Sequence, residues 1–185
     1  MPLRPIPTDV SPSRDELGRR AAAHVVKLLQ GILATQPRAR VVFACAPSQN
    51  EFLAALITQS QSVIDWSHID GFHMDEYIGL RAKHPASFRT YLKQHFLDHV
   101  PLGSFAEIHG EALDAEAEAT RYASLLSAAP IDLICLGIGE NGHIAFNDPS
   151  VADFDDPQLV KVVHLDHACR QQQLNDGCFA TLADV

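Results

Sequence analysis

The sequence lacks the features of several common classes of protein. Its four cysteines form no C-x-x-C pair, which favours buried, reduced thiols and a cytosolic compartment. It has no apolar run long enough to span a membrane, and its first residues lack the apolar region of a signal peptide. These absences predict a cytoplasmic protein with no membrane partner.

Clusters of basic residues are also missing. The chain has 14 Lys and Arg residues against 23 Asp and Glu residues, for a formal net charge of −9. A nucleic-acid partner is therefore not expected, because such binding requires the neutralisation of many phosphates. A phosphorylated small molecule is compatible with this charge, since it needs only one local pocket of N–H groups and cations.

The composition is that of an ordinary globular protein, with 46% hydrophobic and 20% charged residues, and it predicts one domain over residues 1–185. Strand-like and helix-like segments alternate, which predicts an α/β protein: a three-layer sandwich with a mostly parallel, Rossmann-like sheet. The predicted helices are residues 14–33, 52–58, 88–100, 115–127 and 167–174, and the predicted strands are residues 41–46, 69–74, 131–136 and 161–165.

The most informative stretch is residues 131–149, IDLICLGIGENGHIAFNDP. Its first six residues are mostly apolar, which predicts a strand buried on both faces of a parallel sheet. The glycines that follow, including Gly139 and Gly142, allow positive φ angles and a close approach of backbone N–H groups to a ligand. His143 and Asp148 are candidates for proton transfer beside this loop. The pattern predicts a small-molecule active site at the carboxyl end of a strand.

The same glycines also match G-x-G-x-x-G, the fingerprint of dinucleotide-binding proteins. That fingerprint requires the glycines to open a helix, with an acidic residue about 20 positions further on. Here Asp148 and Pro149 follow shortly after Gly142, and a proline disfavours helical geometry at the residue before it. A nucleotide-binding site is therefore not expected.

Polar side chains follow the other predicted strands at comparable positions. Ser48 and Asn50 follow the first strand, Asp75 follows the second, and Arg170 lies beyond the fourth. Open α/β sheets bind ligands at the carboxyl edge of their strands, so we expect these side chains to converge with His143. Ser48 also begins a capping-box pattern, so that a purely structural role stays open for it, as a surface role does for Arg170.

Two long motifs carry a resemblance to a known family. GIGENGHIAFNDP (residues 137–149) and HMDEYIGLRAKHPASFRTYL (residues 73–92) closely resemble the signatures of the glucosamine-6-phosphate deaminase (isomerase) family, relatives of the 6-phosphogluconolactonases. The resemblance extends more weakly over most of the chain from the first helix onward. A lactonase would keep the glycine-rich loop and histidine but lack MDEYIGL and IAFNDP, which makes hydrolysis the weaker interpretation.

The resemblance implies roles for individual residues. In the family the first acid of the MDEY motif moves the C2 proton of the substrate, and that position is Asp75. The loop histidine, His143, opens the sugar ring, assisted by acidic residues at the positions of Asn141 and Asp148. The expected contacts to the substrate and its phosphate are Ser48, Asn50, Gly139, Gly142 and Arg170.

The implied activity is that of an amino-sugar phosphate deaminase/isomerase in amino-sugar metabolism, including N-acetylglucosamine catabolism. It would convert glucosamine 6-phosphate, or an epimer, to a ketose 6-phosphate and ammonia, with no cofactor and no metal. The partner would be a small-molecule sugar phosphate, and a homo-oligomer stays open. A non-catalytic sugar-phosphate-binding or regulatory protein is the alternative, because Asn141 replaces the family's aspartate and Asp148 its glutamate.

The family continues beyond the position that matches Val185 with further strand and helix units. The resemblance therefore implies that this chain is C-terminally truncated. A sheet that ends here is expected to leave an edge and some apolar surface uncovered.

Overall fold

A parallel sheet forms the centre of the computed structural model, which describes residues 6–185. Its strands lie in the order β3-β2-β1-β4, and every neighbouring pair is parallel. The strands are β1 (Ala39–Phe43), β2 (Ile69–His73), β3 (Ser104–Ala106) and β4 (Leu133–Cys135). The α-helices of the described residues are α1 (Arg14–Leu33), α2 (Asn50–Ser60), α3 (Phe88–Leu92), α4 (Ala115–Ser127) and α5 (His167–Asn175).

Side chains of β1 alternate between two apolar layers. Val41 and Phe43 belong to the main core, which also contains residues of α1, α2 and α3. Val42 packs on the opposite face with Phe72 and with Tyr122 of α4. Because successive side chains of a strand point to opposite faces, helices cover both sides of the sheet. The predicted three-layer α/β sandwich with a parallel sheet is therefore confirmed.

Side-chain caps define the start of three helices. The Ser13 hydroxyl accepts the N–H of Glu16 at 3.2 Å, and α1 begins at the next residue, Arg14. Asp114 caps α4 in the same way through the N–H of Ala117, and Asp166 caps α5. Each cap satisfies an N–H group that the helix itself leaves unpaired, which explains why the sequence predicts these boundaries closely.

The predicted capping box at Ser48 is wrong. A 3₁₀ turn, Pro47–Gln49, precedes α2, and neither the turn nor the helix has a side-chain cap. The Glu51 carboxylate that would complete the box instead forms a two-point ion pair with Arg14, at 2.8 Å for each contact. Glu51 therefore contacts α1 instead of forming the hydrogen bond that a capping box would place at the start of α2.

Two strand predictions also fail. Residues 161–165 form no strand, although their apolar, β-branched pattern favours one, because a strand forms only where a partner strand is available. β4 is shorter than residues 131–136 and is not buried on both faces, since Ile134 is 49% and Leu136 43% exposed. β4 lies at the end of the strand order, beside β1 only, which explains this exposure. β3 was not predicted, because it has three residues and no apolar run.

The order of the strands reverses between β1 and β4. The chain runs from β1 outward to β2 and β3, and then returns across the sheet to place β4 on the other side of β1. The loops that leave β1 and β4 therefore diverge and leave a crevice at the carboxyl ends of these two strands. In open α/β sheets such a switch point is where ligands bind.

Candidate active site

A cleft lies at this switch point. The loop after β1 contributes residues 44–49 to its wall, and the loop after β4 contributes residues 137–139, His143, Ala145 and Phe146. Asp75 and Met74 line it from the end of β2, and residues of α5 close another side. The cleft therefore brings together the carboxyl ends of three parallel strands.

The loop after β4 folds back tightly on itself. The Gly139 N–H donates to the His143 carbonyl oxygen at 2.9 Å, and the Gly142 N–H donates to the Gly139 carbonyl oxygen at 2.9 Å. Gly142 has a φ of 87°, a conformation that side chains disfavour. A Cβ atom at Gly139 would overlap the imidazole ring of His143. One glycine thus permits the turn, and the other leaves room for the histidine.

A hydrogen-bonded relay joins His143 to Asn141 and Asp148. The Nδ1 atom of His143 is 2.6 Å from Asn141 Oδ1 and 3.2 Å from Asp148 Oδ1. Asn141 donates through Nδ2 to Asp148 at 2.9 Å, and Asp148 is fully buried. No hydrogen bond to Nε2 of His143 is found among the described residues, and His143 lines the cleft. The ring is therefore oriented by one nitrogen and keeps the other for a ligand.

Asp75 has the properties of a proton acceptor near neutral pH. Burial and, secondarily, the charge of Glu76 raise the pKa of Asp75 from 3.8 to about 7. A carboxylate whose pKa lies close to the working pH combines basicity with a useful ionised fraction. Asp75 and His143 both line the cleft, so that one ligand can contact both groups.

The other predicted site residues divide into two sets. Ser48 and Gly139 line the cleft, whereas Gly142 shapes the loop without reaching the cleft wall. Asn50 accepts a hydrogen bond from the Tyr91 hydroxyl at 2.7 Å and is not part of the cleft wall. The Arg170 guanidinium donates to the carbonyl oxygen of Leu182, and Arg170 is not part of the cleft wall. Contacts of Asn50 and Arg170 with a substrate stay predictions.

Several site residues were missed by sequence reasoning. Gln49 and Gln172 line the cleft, and Gln172 accepts the N–H of Glu140 at 3.0 Å. Asp166 lies behind the relay, where its Oδ2 accepts from Asn141 Nδ2 at 3.1 Å. The sequence identifies Asp166 only as a helix cap, because its second contact is with a loop far away in the chain.

A His/Asp/Cys cluster at this site has the residue types of a transition-metal site. Ligand atoms of His143, Asp148 and Cys169 lie within 4.8 Å of one another. Metal binding to cysteine requires a thiolate, whereas burial, together with the charges of Asp148 and Asp166, raises the pKa of Cys169 to about 12. His143 and Asp148 are already engaged in the relay. The arrangement therefore fits a proton relay better than a resident metal.

Fold and site together define a class: a doubly wound α/β protein with a histidine relay and a perturbed carboxyl at its switch point. Residues 12–169 match the family model described as glucosamine-6-phosphate isomerases/6-phosphogluconolactonase. The chain belongs to this family, as the two sequence motifs indicate.

Individual relatives support the assignment. Glucosamine-6-phosphate deaminase of Exiguobacterium sp. strain AT1b is 46% identical over 92 residues, which is 50% of this chain and 36% of the relative. The deaminase of Bacillus cereus strain B4264 is 32% identical over 148 residues, covering 80% of this chain and 54% of the relative. The chain thus spans between about a third and a half of the length of these curated relatives.

A solved structure of a monomeric glucosamine-6-phosphate deaminase has the same fold. It superimposes with a TM-score of 0.81 at 30% sequence identity, over 94% of this chain and 70% of the solved chain. Among residues 6–185, none of the helices combines the length and apolar character needed to cross a membrane.

Proposed function

We propose that this chain carries the catalytic cleft of an amino-sugar phosphate deaminase/isomerase. It converts glucosamine 6-phosphate, or an epimer, to a ketose 6-phosphate and ammonia, and it acts in the cytoplasm on a small-molecule sugar phosphate. The observation that carries the proposal is the presence of Asp75 and His143 in the wall of one cleft. Family membership supplies the substrate class.

The two side chains suit two proton transfers. His143 accepts the C1 hydroxyl proton through Nε2 and returns it to the ring oxygen, which opens the sugar to an aldehyde. Asp75 then takes the proton from C2, next to the carbonyl carbon, and delivers it to C1. The aldehyde oxygen gains a proton as the amino group gives one up, which leaves a hydroxyl at C1 and an imine at C2. Water adds to the resulting imine at C2 and ammonia leaves, so that no cofactor is needed for this sequence.

The loop after β1 is our candidate for holding the substrate phosphate. It leads into the N-terminus of α2, where unpaired N–H groups and the helix dipole favour an anion. Ser48 adds a hydroxyl to the cleft wall, and the described residues of that wall include no lysine or arginine. Arg170 would have to release the Leu182 carbonyl to reach the phosphate.

The test is an assay for ammonia and ketose phosphate with glucosamine 6-phosphate as substrate. We expect equimolar release of the two products by the unmodified chain. We expect the His143→Ala and Asp75→Asn variants to lose at least about a hundredfold in kcat, because each removes a proton-transfer group. The exposed His164 provides a control, since His164→Gln should leave kcat unchanged.

The outcomes separate the alternatives. No product from a cooperatively folded chain that still binds the sugar phosphate would contradict an enzyme and favour a binding protein. Hydrolysis of 6-phosphogluconolactone without ammonia release from the amino sugar would favour the lactonase branch of the family.

A further inference from the structure

The amide of Asn141 has its orientation set by two carboxylates. Its Nδ2 donates one hydrogen to Asp148 Oδ1 at 2.9 Å and the other to Asp166 Oδ2 at 3.1 Å. Its Oδ1 accepts the backbone N–H of His143 at 3.1 Å. A flipped amide would turn its oxygen towards two carboxylates, which can only accept hydrogen bonds when they are ionised. The network therefore admits one orientation.

This orientation determines which nitrogen of His143 carries the proton. Asn141 Oδ1 lies 2.6 Å from Nδ1 and can only accept, so that Nδ1 must be the donor. In the neutral ring Nε2 then has a free lone pair. Asp148 Oδ1 is also near Nδ1, but its distance is longer, at 3.2 Å, and the same oxygen already accepts from Asn141.

Asp166 connects this network to α5. Its Oδ1 accepts the N–H of Cys169 at 2.8 Å, and its own N–H donates to Asp148 Oδ2 at 2.8 Å. One residue thus caps the helix, holds the far oxygen of Asp148 and receives the second hydrogen of Asn141. The helix cap needs only one oxygen of the side chain, so that a cap alone does not explain the second contact.

We propose that Asp166 is a positioning residue that orients the Asn141 amide and thereby keeps His143 in the tautomer with Nδ1 protonated and Nε2 free. The Asn141 amide is neutral and supplies no negative charge next to His143. Asp166, which accepts a hydrogen bond from Asn141, provides a second carboxylate in addition to that of Asp148. The role in turnover rests on the function proposed above, whereas the role in setting the tautomer does not.

The variant Asp166→Asn separates this role from helix capping. Asparagine is as good an N-cap as aspartate, so α5 keeps its cap. Cys169 and Asn141 donate to different oxygens of Asp166, and asparagine replaces one of these oxygens with an NH₂ group that can only donate. Asp114→Asn makes the same change at the cap of α4, which is remote from the relay, and is the matched control.

The first readout is the ¹⁵N spectrum of the His143 ring in the intact chain, which reports the protonated nitrogen without any substrate. We expect the Nδ1–H tautomer in the unmodified chain and in Asp114→Asn, and a measurable population of the Nε2–H tautomer in Asp166→Asn. An unchanged tautomer in Asp166→Asn would overturn the proposal, whether or not the chain turns over an amino sugar.

The second readout is turnover. Under the proposed function we expect Asp166→Asn to lower kcat by about tenfold with little change in KM, since the ring is less often in the reactive tautomer. Asp114→Asn should leave kcat unchanged, because it alters only the cap of α4. A kcat of Asp166→Asn equal to that of Asp114→Asn would contradict the role of Asp166 in turnover.

Discussion

Gly139 has no side chain, and this leaves the space that the imidazole ring of His143 occupies. No other amino acid leaves enough room there, because any Cβ atom would overlap ring carbon and nitrogen atoms. The ring is also tied on its other side to Asn141, so that it has little freedom to move away. Gly139 therefore restricts the position of the His143 ring, as its hydrogen bond to Asn141 does.

Under the proposed function we expect Gly139→Ala to lower kcat by about a hundredfold, because a displaced His143 ring would lose its alignment with the substrate. Gly31→Ala in α1 is the control, since nothing lies within 4 Å of the added methyl group there. That variant should keep full activity and gain up to about 1 kcal/mol of stability from the helix propensity of alanine. A Gly139→Ala variant with normal turnover and an unmoved His143 ring would contradict this account.

At the scale of elements, Glu76 joins the end of β2 to the start of α3. Its carboxylate accepts the N–H groups of Phe88 and Arg89 at 3.2 Å each and the hydroxyl of Ser87 at 2.7 Å. It also receives the Arg89 guanidinium, and neither side chain is more than 3% exposed. Because Asp75 precedes Glu76 in the chain, this junction also holds the candidate base in place.

We expect Glu76→Gln to lower the free energy of unfolding by about 3 kcal/mol, because it leaves the buried Arg89 guanidinium with only the partly exposed Glu111 as a charged partner. Glu111→Gln is the control, since Glu111 pairs with the same arginine but is 43% exposed and should contribute less than about 1 kcal/mol. Urea unfolding measures both. Equal losses in the two variants would show that burial does not distinguish these ion pairs.

The elements also show what the sequence can predict. The bounds of α1 were predicted correctly because a cap and an apolar period are local signals. Asp75 and His143 line one cleft because strand ends share an edge. The failed strand at residues 161–165 and the missed contact of Asp166 have a common cause. Both depend on a partner distant in the chain, which no local pattern of residues specifies.

At the scale of the whole molecule, two groups with shifted pKa values give stability opposite dependences on pH. Burial lowers the pKa of His73 from 6.5 to about 3, and its Nε2 accepts the N–H of Ile108 at 2.8 Å. Unfolding therefore takes up a proton between these two values, so that His73 makes the fold more stable as pH rises from about 3 to 6.5.

Asp75 acts in the opposite direction. The folded chain keeps its carboxyl proton up to about pH 7, whereas the unfolded chain releases it near 3.8. Unfolding then releases a proton between these values, so that Asp75 makes the fold less stable as pH rises through the same range. The two contributions nearly cancel wherever the ranges overlap.

Single variants should reveal each contribution. In His73→Gln the amide oxygen can still accept the Ile108 N–H, and the free energy of unfolding should fall with rising pH by up to about 1.4 kcal/mol per pH unit relative to the unmodified chain. In Asp75→Asn it should rise with pH by a similar amount, because the contribution of His73 is then no longer offset by that of Asp75. Urea unfolding across the shared range measures both slopes, and the double variant should return to the slope of the unmodified chain. Two single variants with the same slope would contradict the opposing pair, and would mean that the carboxyl at the cleft is not held protonated by burial.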